Sequence, residues 1–568
     1  MFKRKVFLIT GLVFLVLVLR IFYLQIIHGK RFFQLSRANS IRILPLRGAR
    51  GRILDRNGNI LVDNSYSYEL MVYPQNIENL EDFLKKLSSI LGVSFLELKS
   101  RIQNKLNSFL PISLIKELDK EKAIILEELK FKFPAITIQL VPKRNYPFSR
   151  LASHILGYLS SIDWWRLKRW QDYGYSASDT VGYGGLEERY DYYLRAKDGG
   201  LQLEVDNRGR PRRILGFKPP RNGKDLYTTI DLRVQKIVEE VLDDYSGAVV
   251  IMDPYTGEII AMASFPNFSP SELSFNQSIL KKMLSDSNAP LVNRAISGLY
   301  PPGSVFKPVV ATAGLCEQRM DTKTSFFCDG SLKIGNRQFS CWDKHGYQDV
   351  KEAITHSCDV FFYKLGLSLG AEKLNEYALK FGLGKVTHID LPEEKAGLVP
   401  HPILRKLNRR IPWFDGDTAN FSIGQGDLLA TPLQIVRMIS VFANKGNLVR
   451  PYLVKSIGER DISARQRNIL PLGIEDRILN IIHNSMKKVV EDDTGTAHIL
   501  YLSGVSIAGK TGTAQVNRKQ SHAWFTGYFP VENPRYSICV ILEYGGSSSN
   551  ACWVAKRIIE KMKEESLI

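Results

Sequence analysis

From Val6 to Ile27 the chain is almost entirely apolar, broken mainly by Arg20 and Gln25. Its 22 residues suffice for a bilayer core, which a helix crosses in about 20. A cleavable signal peptide would have a shorter apolar core and an Ala-x-Ala-like site after it. Neither is present, so an uncleaved anchor is expected over residues 6–27, behind a short tail at 1–5. Lys3, Arg4 and Lys5 precede the segment and Lys30, Arg31 and Arg37 follow it. Charge bias alone therefore does not set its orientation. Arg20 either snorkels to the interface or faces a partner helix.

The 568 residues leave room for roughly three to four domains of about 150 residues. A composition of 44% hydrophobic and 24% charged residues permits a full core. The net charge of +19 suits a membrane surface, nucleic acid or an acidic polymer. No zinc-finger, RNA-recognition or helix-turn-helix signature favours nucleic acid, so none is expected as a partner. Six cysteines are too few for a disulfide scaffold.

Residues 28–222 read as a mixed α/β platform. Arg47–Gly58 is a basic segment, and its Asn57-Gly58 predicts a hairpin between Ile53-Leu54 and Ile60-Leu61-Val62. Residues 79–130 predict helix throughout. This region carries no nucleophile–base set, and His154 reads as structural. From about Asp225 the pattern predicts a compact domain over 223–568. Thr228–Asp231 should cap a helix to Leu242. Ser246–Pro254 and Gly257–Ser264 should form a hairpin. Ala523–Phe529 and Tyr536–Tyr544 should be strands, and Ala551–Lys563 a closing helix. Strands and helices in this order predict an α+β domain, an antiparallel sheet flanked by helices.

Chemistry is concentrated around Tyr300–Pro308. Ser304 and Lys307 stand three apart, which on a helix places both on one face. Pro308 lacks an N–H and sits only near a helix start, so Ser304 lies close to a helix N-terminus. A serine hydroxyl is a poor nucleophile until a base takes its proton, and a nearby lysine of lowered pKa is one such base. Ser-x-x-Lys alone is weak, since it recurs at Ser113/Lys116, Ser278/Lys281 and Ser485/Lys488. Two more motifs follow in order, Ser357-Cys358-Asp359 and Lys510-Thr511-Gly512-Thr513. Gly424-Gln425-Gly426 lies between them and reads either as backbone passing near a cleft or as a plain loop.

Cys328, Cys341, His345 and Cys358 have the spacing Cys-x12-Cys-x3-His-x12-Cys. Three thiolates and an imidazole suit tetrahedral zinc, with Asp343 an alternative ligand. A Cys328–Cys341 disulfide and a merely buried Cys358 compete with that reading. Cys316, Cys539 and Cys552 read as core residues.

In this combination the chain resembles the class B penicillin-binding proteins, bitopic D,D-transpeptidases that cross-link peptidoglycan. Within them it is similar to the elongation-type group, penicillin-binding protein 2. The resemblance rests on Arg47–Gly58, Gly184–Glu187, Asn207-Arg208-Gly209, the serine motif, Ser357-Cys358-Asp359, Gly424–Gly426 with Thr431–Gln434, and Ala508–Gln515. It implies Ser304 as the nucleophile on a D-Ala-D-Ala stem peptide and Lys307 as base. Ser357 would relay the proton and Asp359 would hydrogen-bond within the cleft. Lys510, Thr511 and Gly512 would receive substrate, and the N–H groups of Ser304 and Thr513 would form the oxyanion hole. It also implies acylation by β-lactams, no cofactor for catalysis, and a structural zinc in some relatives. The implied setting is the inner membrane, with the catalytic domain on the periplasmic side and a SEDS-type, RodA-like polymerase reached through anchor and platform. A β-lactamase or β-lactam sensor on the same fold, or a scaffold that activates a polymerase, are the other readings.

Overall fold

The computed structural model describes residues 2–33, 41–103, 111–177, 179–205, 211–517 and 520–568. The Asn207-Arg208-Gly209 segment lies outside them. Phe2–Phe22 is an α-helix that continues as a π-helical turn over Tyr23–Ile27. Lys5–Ile27 is the one stretch among the described residues both long and apolar enough to cross a membrane, and none of it is buried.

The rest of the chain forms two compact units that interleave in sequence. The first holds 64–144 and 195–223 beside the N-terminal 51 residues; the second holds 52–63, 145–194 and 224–568. The platform expected over 28–222 is therefore not one continuous compact stretch.

In the first unit, Ile41–Leu46, Gly199–Val205 and Pro211–Lys218 form a three-stranded antiparallel sheet. Residues 79–130 are not all helix. Helices Leu80–Leu91, Phe95–Gln103 and Lys120–Glu128 are interrupted by a strand, Ile112–Leu118. That strand pairs with residues 68–72 and buries Ile112, Leu114 and Leu118 against Leu84, Leu87 and Leu98. Cross-strand pairing and a shared apolar core decide over a charge pattern that looks helical.

The second unit is built on a five-stranded antiparallel sheet. Its strands are β1 (Gly247–Met252), β2 (Ile259–Phe265), β3 (Ala508–Gln515), β4 (Ser521–Phe529) and β5 (Tyr536–Leu542), in the order β2-β1-β5-β4-β3. Every residue of β1, β2 and the last six of β5 is buried, because helices cover both faces. Helix α1 (Leu232–Leu242) is capped by Asp231, whose carboxylate accepts the Arg233 N–H. It packs on β2 and on the C-terminal helix α6 (Ser548–Glu564). On the other side lie α2 (Lys307–Cys316), α3 (Asp359–Lys380), α4 (Pro432–Ala443) and α5 (Asp476–Glu491). β3 closes one edge of the sheet, so one row of its backbone groups has no strand partner.

Residues 52–63 bind into this unit. Ile53-Leu54 pairs parallel with Leu226-Tyr227 and antiparallel with Ile60–Val62. Gly58, at φ +85°, makes the intervening turn. The fully buried Asp55 accepts N–H groups of Asn57, Asn59 and Leu232. His154 is a structural residue: its Nε2 meets the Pro290 carbonyl at 2.8 Å, and burial pushes its pKa down to about 4.

Candidate active site

Ser304 does not begin the α-helix. It lies in a 3-10 turn, Gly303–Phe306, and α2 starts at Lys307 with Pro308 in its second position. The turn is held from several sides. Tyr300 and Ala430 exchange backbone hydrogen bonds, and the Gly303 N–H donates to the Gly424 carbonyl at 2.9 Å. The Trp524 indole N–H donates to the Pro301 carbonyl at 3.1 Å. Upstream, Glu543 accepts from Arg294, Tyr300 and Ser246. Gly424 therefore does pass beside the cleft. It has φ +73°, and a Cβ there would sit 2.2 Å from the Gly303 oxygen. β3 is equally close: a Cβ on Gly512 would come 3.0 Å from the Pro302 oxygen.

The Lys307 ammonium is fully buried. It donates to the Asp359 carboxylate at 2.6 Å, the Ser357 carbonyl at 2.7 Å and the Ser357 hydroxyl at 3.2 Å. A buried cation is stable only with such partners. Ser304 itself is half-buried, and its hydroxyl makes no hydrogen bond among the described residues. Lys307 thus stands on the Ser357–Asp359 side of the cleft rather than hydrogen-bonded to Ser304.

Ser357 links the short helix Val350–Thr355 to α3 and has φ +54°, in the left-handed region. Non-glycine residues adopt that conformation seldom, and at a cost. Here the Cys358 N–H closes the turn on the Ala353 carbonyl at 3.0 Å, and the Ser357 hydroxyl is delivered to Lys307.

Lys510, on β3, is the second fully buried amine. It contacts the Thr511 carbonyl at 3.2 Å. Burial first and the neighbouring Lys307 second hold its pKa well below the ordinary lysine value, while Asp359 opposes them. Two buried amines and one carboxylate thus share the cleft. Thr511 donates its hydroxyl hydrogen to Thr496 at 2.8 Å, and Thr513 is exposed.

Next to this cleft, Cys328, Cys341, His345 and Cys358 place one ligand atom each within 4.8 Å of one another. His345 presents Nδ1, at 3.5 Å from Cys341 Sγ and 3.7 Å from Cys328 Sγ, while its Nε2 is buried without a hydrogen bond among the described residues. The Asp343 carboxylate is not in the cluster; it accepts the Lys344 N–H at 2.7 Å. The Cys341 sulfur also accepts the Asp359 N–H at 3.2 Å. The other Ser-x-x-Lys pairs are not sites of this kind. Ser485, for one, is buried with its hydroxyl on the Ile481 carbonyl.

Residues 247–561 match the family model for the penicillin-binding protein transpeptidase domain, and residues 45–228 that for the penicillin-binding protein dimerisation domain. The chain belongs to the penicillin-binding protein transpeptidase family. Within the family it is 32% identical to the peptidoglycan D,D-transpeptidase MrdA of Acinetobacter baumannii, over 98% of this chain and 87% of that protein. Penicillin-binding protein 2 of Helicobacter pylori, solved in complex with MreC, superposes with a TM-score of 0.84 at 28% identity, over 93% of this chain and 99% of that one. A chain from a peptidoglycan synthase complex that coordinates polymerisation and cross-linking superposes with a TM-score of 0.74 at 29% identity, over 98% of each.

Several supporting residues of this penicillin-binding family member were not legible in advance. Glu543 and Trp524 act on the serine turn from more than 200 residues away, and Arg294 and Thr496 act through Glu543 and Thr511, so no local spacing marks them.

Proposed function

We propose that this chain is a peptidoglycan D,D-transpeptidase of cell elongation, working through a serine acyl-enzyme. The observation that carries this reading is the buried Lys307 ammonium on Ser357 and Asp359, beside an unengaged Ser304 hydroxyl. Ser304 Oγ attacks the carbonyl carbon of the penultimate D-Ala of a stem peptide. Lys307 first passes a proton to Asp359 and then, as the neutral amine, takes the hydroxyl proton as it turns toward Ser304. The C–O bond forms, and the oxyanion is met by the N–H groups of Ser304 and Thr513. Removing one such donor typically costs on the order of 10²–10³ in rate. The C–N bond then breaks, and the proton reaches the leaving D-Ala amine through the Ser357 hydroxyl. Lys510, Thr511 and Gly512 line the free edge of β3, where an extended peptide adds as a further strand. The amine of a second stem peptide then attacks the ester, forms the cross-link and returns the proton to Ser304. A β-lactam presents the same acyl group, and its ring-opened product stays on the serine.

The exposed helix within Lys5–Ile27 makes this a single-pass, membrane-anchored chain, and we place its catalytic unit on the periplasmic side of the inner membrane. A RodA-like glycan polymerase is its proposed partner, engaged by the anchor and the 28–222 platform. Cys328, Cys341, His345 and Cys358 would hold a structural zinc, whose chemistry is that of a tetrahedral clamp rather than a reactant. Catalysis itself requires no cofactor in this scheme.

Intact-mass measurement of the detergent-solubilised chain after exposure to benzylpenicillin tests the reading. A stable adduct on the peptide containing Ser304, absent in Ser304→Ala, is expected. An adduct retained by Ser304→Ala, or one lost at once by hydrolysis, would sink it.

A further inference from the structure

A second feature of the catalytic unit has no part in the steps above. Between the helix Val350–Thr355 and α5 lies an open cavity of about 570 Å³. Lys351 lines one wall; Arg477, Asn480, Asn484 and Lys488 line the other. The four residues of α5 fall at helical spacings of three and four, so they share one face. No acidic side chain lines the cavity, and none of the three cations makes an ion pair among the described residues. A groove lined by three cations and two amides and by no carboxylate is complementary to an anion. Arg477 and Lys488 are eleven residues apart, about 16 Å along the helix axis. One small anion cannot meet both, so the matching ligand is extended and carries several negative groups.

The groove also has a direction. Its first wall ends two residues before Ser357, and its second runs into the loop holding Thr494 and Thr496. His356 Nε2 lies 3.0 Å from the Thr494 hydroxyl, and Thr496 donates its N–H to the Thr355 carbonyl. Thr496 in turn accepts the Thr511 hydroxyl of β3. Both walls thus converge on the margin of the Ser304 cleft, on its Ser357 side. We infer that this groove is the docking track for the acceptor strand, holding the carboxylates of the stem peptides on the glycan chain whose amine completes the cross-link. The inference rests on the transpeptidase reading of the cleft.

Binding separates the two. Uncrosslinked glycan strands with free peptide carboxylates, and the same strands with those carboxylates amidated, are titrated onto the full chain in detergent. The triple variant K351Q/R477Q/K488Q should bind the free-carboxylate strands about tenfold more weakly, as three exposed ion contacts worth a factor of about two each would give. It should bind amidated strands as the wild type does, and the wild-type preference should fade with added salt. Asn484→Asp, a single exposed change that puts a carboxylate into the groove, should weaken the same binding and serves if the triple variant does not fold. Equal loss for amidated strands, no loss in either variant, or loss of binding only to phosphatidylglycerol vesicles would overturn the docking track. Failure of benzylpenicillin to acylate the wild type would instead overturn the transpeptidase reading and leave the binding comparison standing on its own.

Discussion

Replacing Lys510 by methionine should stabilise the fold while impairing its chemistry. The two side chains are close in length, and Lys510 is fully buried with one side-chain hydrogen bond among the described residues, to the Thr511 carbonyl. Its pKa is held well below the ordinary value by burial and by Lys307. Each unit by which the folded pKa lies below the ordinary value costs the wild type about 1.4 kcal/mol at pH values under both. Methionine avoids that cost but forfeits the hydrogen bond, worth about 1 kcal/mol. Lys510→Met should therefore be the more stable protein at pH 7, because a lowering of more than about one unit outweighs that bond. The sign with pH follows from proton counts. Between the lowered folded pKa and 10.4 the unfolded chain binds the extra proton, so wild-type stability rises with pH in that window. The variant lacks this term, and its advantage should shrink by about 1.4 kcal/mol per pH unit toward pH 10. Urea unfolding of both proteins at pH 7, 8 and 9, followed by tryptophan fluorescence, reads the gap directly. Acylation by benzylpenicillin should fall by about 10²-fold or more, since Lys510 lines the edge that receives substrate and neighbours Lys307, the base. A gap that does not change with pH, or a variant less stable than wild type at every pH, would refute the reasoning, because Lys510 would then be charged and satisfied in the folded state.

Other substitutions probe the geometry from different sides. Gly424→Ala should lose at least about 2 kcal/mol in thermal unfolding and slow acylation, since its Cβ meets the Gly303 oxygen and its φ is left-handed. Ser357→Ala and Ser357→Gly should both slow acylation by about 10²-fold or more. The glycine variant should nevertheless be about 1 kcal/mol the more stable of the two, because it relieves φ +54°; an alanine variant of equal or greater stability would count against strain there. Cys341→Ser should reduce bound zinc from about one per chain and lower the unfolding temperature; equal metal content in wild type and variant would dismiss the cluster as a zinc site.

The local parts of this fold were legible because local residues determine them. Asn57-Gly58 makes its hairpin, Asp231 caps α1, and the strands around 523 and 536 stand where short runs rich in apolar residues place them. Ile112–Leu118 was not legible, since its partner at residues 68–72 lies over 40 positions away and its own sequence carries a helical charge pattern. The same division runs through the site. Ser304, Lys307, Ser357 and Lys510 announce themselves by spacing, and the four metal-type residues by donor chemistry. The orientation of Lys307 did not, because Asp359, fifty-two residues on, and the left-handed turn at Ser357 decide it together. Asp343 stays out of the cluster through a contact that spacing does not encode, its carboxylate accepting the Lys344 N–H.

The interleaving of the two units has a consequence for how the protein is made. Residues 52–63 contribute a strand and the buried Asp55 to a unit whose last helix ends at Glu564. At roughly 5–20 residues per second, ribosomal synthesis separates those two events by tens of seconds. Until residues 226 and 227 are made the early hairpin lacks its parallel neighbour, and until the last helix is made the unit it belongs to stays incomplete. Expression of residues 223–568 alone removes the hairpin altogether and exposes Leu226, Ile230 and Leu232, so a soluble catalytic fragment needs the chain from before Arg52 onward.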